Sequence, residues 1–202
     1  MDHSLAMRAA RALVAARRSG TRIDGLPEGC EPQSNADAYH IQDCVVACYG
    51  QTIGAWKVGA THPNAQAGLG VDGPVAARLF SESILVGDQE LPDTFIVRGL
   101  EAEYAFRMGS DLAPRDKPYS REEVAAAVES VHPAIEVVDT RYTALRQGAF
   151  TIADSVNDSH WLYGEGVSDW QSLDIVNAPV TMEVNGEVVV EGSGAEGLGD
   201  PM

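Results

Sequence analysis

Two short segments hold the residues best suited to chemistry. Residues 98–106 carry Glu101 and Glu103, and residues 133–139 carry Glu136 and Asp139. In an extended strand, side chains two apart share a face. Glu101 and Glu103 therefore project together, while Leu100, Ala102, Tyr104 and Phe106 line the opposite side. Glu136 sits in a second apolar run, between Ile135 and Val137. A buried carboxylate without a partner is costly, and three converging ones suit a hard divalent cation. Mg²⁺ takes oxygen ligands and keeps positions for water and substrate. The same Glu-x-Glu pattern is also the ordinary solvated face of a half-buried sheet, so the spacing alone leaves both readings open.

Lys57 is the cation to weigh beside them. It lies between Trp56 and Val58 in an apolar run, and lysine is seldom buried without a purpose. The alternative is a lysine at a strand end, its stem on apolar surface and its ammonium in water. Cys30, Cys44 and Cys48 form an odd, sparse set. Cys44 and Cys48 are one helical turn apart but match no zinc motif, and they read as small core residues of a reduced intracellular protein. None of the five histidines shows ligand spacing.

These residues need elements to position them. Ser4 is expected to cap a helix over residues 4–19 that stops at Gly20, with Leu5, Ala9, Leu13 and Ala16 as its buried stripe. A second helix starts after Ser34 or Asn35 and ends at Gly50, with Ala38, Ile41, Val45 and Cys48 on one face. From residue 52 the pattern changes to short apolar runs punctuated by Gly and Pro. Residues 52–58 read as a strand, 59–74 as a loop and 101–107 as a strand. The capping box of Ser120 and Glu123 opens a helix through Val131, and residues 134–138 return to strand. Asn185-Gly186 turns a hairpin between residues 180–184 and 187–191. The expected class is α+β, with helices over residues 1–50 and a β-rich, curved or sandwiched sheet over 51–202. Residues 197–202 are turn-like, with no closing element after the hairpin, so the C-terminal part of the domain is expected to be missing.

Composition narrows the function. The 202 residues, 45% of them hydrophobic, suffice for one core with a helical preface. Fourteen Lys and Arg against 30 Asp and Glu leave a net charge of −16. Nucleic acid and anionic membranes, which demand basic surface, are poor partners for such a chain. A small anionic substrate remains compatible, because a bound cation can invert the field locally. The N-terminus lacks the apolar block of a secretion signal, and no stretch suits a membrane span, so the cytoplasm is the expected location.

Taken in order, several segments resemble the fumarylacetoacetate hydrolase superfamily, in its 2-keto-4-pentenoate hydratase and 4-oxalocrotonate decarboxylase branch. They are residues 38–42, residues 54–61 around Trp56-Lys57, Glu101-Ala-Glu103, residues 131–141 around Glu136, Ile152-Ala-Asp154, and residues 185–201 with their repeated glycines. The resemblance covers nearly the whole chain, and its members usually continue for some tens of residues beyond this point. It implies a mixed β-sandwich or roll of the fumarylacetoacetate hydrolase C-terminal-domain type, holding Mg²⁺ or Mn²⁺ on Glu101, Glu103 and Glu136. It also implies that Lys57 lies in the active site, to hold a substrate carboxylate or move a proton. Asp72 would line the cleft or simply close a turn. Asp154 and Asn157 would touch substrate, although Ser155 departs from the Asn of the matching family loop. Asp139 and Arg141 would orient the Glu136 strand or pair with each other at the surface. His132 reads as structural. His40 and Asp43 superficially match the His/acid dyad of the hydrolase branch.

The implied reaction is addition of water to a 2-hydroxy-2,4-dienoate to give a 4-hydroxy-2-keto acid in aromatic catabolism. A 4-oxalocrotonate-type decarboxylase and an acylpyruvate C–C hydrolase are the enzymatic alternatives. An inactive fragment or partner subunit is the non-enzymatic one. Family members usually form homo-oligomers, and a pathway decarboxylase or hydratase is a conceivable partner.

Overall fold

The computed structural model describes residues 1–97 and 99–202; Arg98, at the head of the Glu101 segment, lies outside them. By its contacts the chain forms two units. One comprises Met1–Leu85, Gln89–Glu101 and Glu136–Trp161, and the other Val86–Asp88, Ala102–Ile135 and Leu162–Met202. The expected division at residue 50 is therefore not where the chain divides in space.

The first unit explains why. Helices α1 (His3–Ser19) and α2 (Asn35–Tyr49) end in left-handed glycines, Gly20 at φ 69° and Gly50 at φ 70°. Ser34 caps α2 through the Asp37 N–H. The cap of α1 is Asp2 rather than Ser4, its carboxylate accepting from the Ser4 N–H at 2.8 Å. Small side chains let the helices approach: Ala6, Ala9, Ala10 and Leu13 bury against Ala38, Ile41, Cys44 and Val45. The same core continues into Val75, Ala77 and Phe80 and into Ile152 and Ala153. Each fully buried aliphatic side chain such as Ile41 contributes about 1.5–3 kcal/mol. Gln42, itself buried, donates to the carbonyls of Ala76 (3.2 Å) and Ile152 (2.6 Å), tying α2 to strand and helix alike. The helices are thus part of one core, not a preface.

Strand β1 (Ile53–Gly59) pairs antiparallel with β2 (Val75–Phe80), Lys57 opposite Ala77. The connection expected as loop contains helix α3 (Pro63–Leu69), with Pro63 in its first turn and Gly70 at φ 68° closing it. Later come β3 (Ile84–Val86), β4 (Gly99–Met108), helix α4 (Arg121–Ala127), β5 (Val128–Val138), helix α5 (Ala149–Ala153) and β6 (Asp158–Tyr163). Four of these strands form a sheet in the order β3-β6-β5-β4.

In the second unit the Ser120/Glu123 capping box forms as expected. The helix stops at Ala127, however, and the strand begins at once, six residues before the expected start. The valines at 124, 128 and 131 fit a helical stripe, but residues 128, 130, 132, 134 and 136 are all buried. Burial of that alternate set decides for strand. Val128, Val131, Trp170 and Ile175 make this unit's core, with Phe106 edge-on to Trp170 at 6.4 Å. Strands β7 (Pro179–Val184) and β8 (Glu187–Ser193) form the expected hairpin, Asn185 and Gly186 both at positive φ. No helix among the described residues is long and apolar enough to cross a membrane.

Candidate functional site

Strand β1 carries an inverted pattern. Trp56 and Val58 are 62% and 54% exposed, whereas Lys57 between them is 4% exposed. The lysine points inward and the apolar residues outward, so its ammonium is not in solvent. Its Nζ donates to Glu136 Oε1 and to the Val156 carbonyl at 3.1 Å, and lies 5.7 Å from the Trp161 ring centroid. A buried ion pair is weak evidence for stability, because its desolvation cost rivals its attraction. Burying one here calls for another reason.

Glu136 supplies it. The residue has no exposed surface, one oxygen faces Lys57, and Oε2 has no hydrogen-bond partner among the described residues. Burial pushes its carboxyl up to about 8, with Lys57 opposing that rise and Glu101 and Asp158 adding to it. Oxygens of Glu101 and Glu136 lie within 4.8 Å of each other. Glu103 lies two residues along β4 from Glu101. An all-oxygen set with an orphaned, buried carboxylate oxygen suits Mg²⁺ or Mn²⁺. Glu101 is exposed, so the group has one closed and one open end.

A strained turn holds the lysine. Ser155, Val156 and Asn157 adopt φ of 53°, 55° and 57° in succession. None is glycine, and Val156 is β-branched, so each costs on the order of 1–3 kcal/mol. The turn delivers the Val156 carbonyl to Lys57 and buries the Asn157 amide, whose Oδ1 is unpartnered among the described residues. Gly59 makes room, since a Cβ there would lie 2.9 Å from Val156 Cγ1 and 3.7 Å from Lys57 Cε.

The other expected residues have different surroundings. Asp154, expected at the substrate, accepts from Arg141 Nε at 2.5 Å and from the Arg141 N–H and Thr140 hydroxyl, both at 2.9 Å. Arg141 in turn donates to the carbonyls of Asp154 and Asp158. Asp154 therefore shapes the loop that carries Asn157. Asp139 and Arg141 are both buried and do not pair with each other; Asp139 pairs with Arg22 and accepts from the Ile96 and Val97 N–H groups at 3.1 Å. Asp72 is exposed in the turn before β2 and joins no group of potential ligands among the described residues. His132 donates Nδ1–H to the Gly164 carbonyl and shares a hydrogen bond with the Ser130 hydroxyl through Nε2, each at 2.9 Å, which occupies both nitrogens. His40 and Asp43 form no dyad: Asp43 pairs with Arg78 at 2.6 Å, and His40 contacts His3 at 3.1 Å.

Spacing in the sequence does not single out Asp158. It is wholly buried, with Oδ2 3.1 Å from Arg17 and Oδ1 unpartnered among the described residues. The only signal is its position beside Asn157, at the start of a strand whose pattern is not alternating.

With this geometry in hand, comparison with known proteins is specific. No protein-family model matches. The chain is 31% identical over 207 residues to the 2-keto-4-pentenoate hydratase of Burkholderia vietnamiensis (strain G4), a match spanning all of this chain and 78% of that protein. It is 32% identical over 173 residues to the 4-oxalocrotonate decarboxylase of Pseudomonas sp. (strain CF600), covering 82% of this chain and 64% of the relative. Among solved structures it matches 4-oxalocrotonate decarboxylase from Pseudomonas putida G7, complexed with magnesium and adipate. That match has a TM-score of 0.85 and 26% identity, and covers all of this chain and 78% of that one. The chain belongs to the 2-keto-4-pentenoate hydratase family, and its fold is of the fumarylacetoacetate hydrolase type.

Proposed function

We propose that this protein is a divalent-metal-dependent hydratase acting on a 2-hydroxy-2,4-dienoate. The observation that carries the proposal is Glu136: fully buried, bound to Lys57 through one oxygen, and with its other oxygen unpartnered among the described residues, beside Glu101. Glu101, Glu103 and Glu136 would hold Mg²⁺ or Mn²⁺. The cation supplies Lewis acidity for the substrate's carboxylate and 2-oxygen, which three carboxylates alone would repel.

The chain's own groups handle orientation and protons. Lys57 is held by Glu136, the Val156 carbonyl and the face of Trp161, which leaves its ammonium three defined neighbours and little freedom. From there it would give one of its protons to the carbon chain as the enol becomes the ketone, and regain one from the 2-hydroxyl. Protonation at C5 turns the dienol into a ketone conjugated with C3=C4, which makes C4 electrophilic; water then adds at C4 while C3 gains a proton. Asn157, held by the strained turn, offers an amide oxygen, unpartnered among the described residues, for the substrate or water. Asp72, on an exposed turn, would act at the rim.

The decarboxylase reading keeps a specific support in the relative from strain CF600 and in the structural match. The hydrolase reading loses its candidate base, since His40 and Asp43 face other partners. We place the enzyme in the cytoplasm, where its three unpaired cysteines fit a reducing compartment, and expect a homo-oligomer. The test is turnover of 2-hydroxypenta-2,4-dienoate with Mg²⁺ and with chelator, with products identified by mass. Gain of one water supports the hydratase. No turnover of that substrate, together with loss of CO₂ from 4-oxalocrotonate, would replace it with the decarboxylase.

A further inference from the structure

A second group of potential ligands lies on the helix pair, and the reaction above does not use it. His40 and Cys44 are one turn apart on α2, and His3 opens α1. His3 Nδ1 is 3.1 Å from His40 Nε2 and 3.8 Å from Cys44 Sγ, and the three ligand atoms lie within 4.8 Å of one another. With Zn–N near 2.05 Å and Zn–S near 2.3 Å, tetrahedral coordination separates two nitrogens by about 3.4 Å, and nitrogen from sulfur by about 3.6 Å. The observed spacings bracket those values.

Hydrogen bonding alone accounts for less of this arrangement. One ring nitrogen offers either one N–H or one lone pair, yet His3 Nδ1 is approached by both a second imidazole and a thiol. The two rings lie with centroids 5.3 Å apart and 21° between planes, their Nδ1 and Nε2 atoms facing across 3.1 Å. Cys44 is buried and His3 exposed, so the point has a closed floor and an open mouth. The carboxylate site is all oxygen and suits hard ions, whereas two imidazoles and a thiolate select zinc-like ones.

We propose that His3, His40 and Cys44 bind one Zn²⁺ ion, with a fourth position open to water, and that this ion staples α1 to α2. Burial, with Cys48 and Asp43 nearby, pushes the Cys44 thiol up. The ion therefore has to displace a proton on binding. Cys48 lies one turn further along α2, its sulfur 3.9 Å from Met7 Sδ, and serves as the internal control.

The test uses Co²⁺ as the spectroscopic probe on the whole chain, with excess Mg²⁺ to fill the carboxylate site. One equivalent should produce a thiolate-to-cobalt charge-transfer band, which oxygen ligands cannot give. The band should persist in Cys48→Ser and vanish in Cys44→Ser. His3→Ala and His40→Ala should each weaken binding about tenfold or more, since loss of even an outer-shell partner costs that much. His3 is exposed, so its variant keeps the test valid if Cys44→Ser misfolds by circular dichroism. Zn²⁺ should raise the melting temperature of the wild type and not of the His3 variant. No band in the wild type, a band that depends on Cys48 instead, or wild-type affinity in both histidine variants would overturn the proposal.

Discussion

At the scale of single residues, burial and the neighbouring Lys57 set the state of Glu136. The folded Glu136 carboxyl is raised to about 8 from an ordinary value near 4.5, burial being the main cause. Between those values the folded chain holds a proton that the unfolded chain has released. Metal-free stability from this group is therefore full below about pH 4.5 and declines as pH climbs through 8. A cation on Glu136 needs the ionised form, so Mg²⁺ affinity should rise with pH up to about 8; calorimetric titrations at several pH values check this. Lys57→Met should lower kcat by about 10²–10⁴-fold, the range for a positioned proton carrier. It should also weaken Mg²⁺ binding at neutral pH, because Glu136 loses the charge that favours its ionised form. Unchanged kcat would remove Lys57 from the mechanism. Asp154→Asn should cost about 3–5 kcal/mol in denaturant unfolding, as it strands the buried Arg141 guanidinium. Glu101 and Glu103 are legible as a pair on one face because strand alternation is a local rule. Asp154 is not legible as a structural residue, because Arg141 reaches it through the fold of the loop and not through spacing.

At the scale of elements, two glycines mark where backbone must pass close to something else. Gly59→Ala puts a methyl group 2.9 Å from Val156 Cγ1, at the turn that holds Lys57. The variant should remain folded by circular dichroism and lose turnover by about tenfold or more, since misplacement of about 1 Å can cost 10²-fold. Gly194→Ala would drive a Cβ into the carbonyl oxygen of Ile175, in the core of the second unit. Its thermal unfolding should shift down by several degrees, as about 1 kcal/mol already moves a domain of this size by roughly 2–4 °C. Helix caps at Ser34, Gly20, Gly50 and Ser120, and the Asn185-Gly186 turn, are all readable, because each is decided within four residues. The start of β5 is not. Val124, Val128 and Val131 satisfy a helical period, and only burial of the alternate set from 128 to 136 resolves it. β1 misleads in another way: Trp56 and Val58 face out, while Ile53 and Ala55 share the inward face with Lys57.

At the scale of the whole molecule, residue patterns convey the class of fold but not its partition. The helices look like a preface because residues 1–50 differ in pattern from residues 52–202. In space they share one core with β1, β2 and α5, stitched by Gln42. Residues 136–161 return to that same unit after residues 102–135 have left it, bringing Glu136 and the strained turn to Lys57. No local rule predicts such a return. The most direct test of the central claim is the rate of Mg²⁺-dependent water addition to 2-hydroxypenta-2,4-dienoate in Glu136→Gln beside the wild type, both confirmed folded. Metal-dependent hydration is predicted in the wild type, with a loss of at least about 10²-fold in the variant. Equal, metal-independent turnover in the two proteins would contradict it.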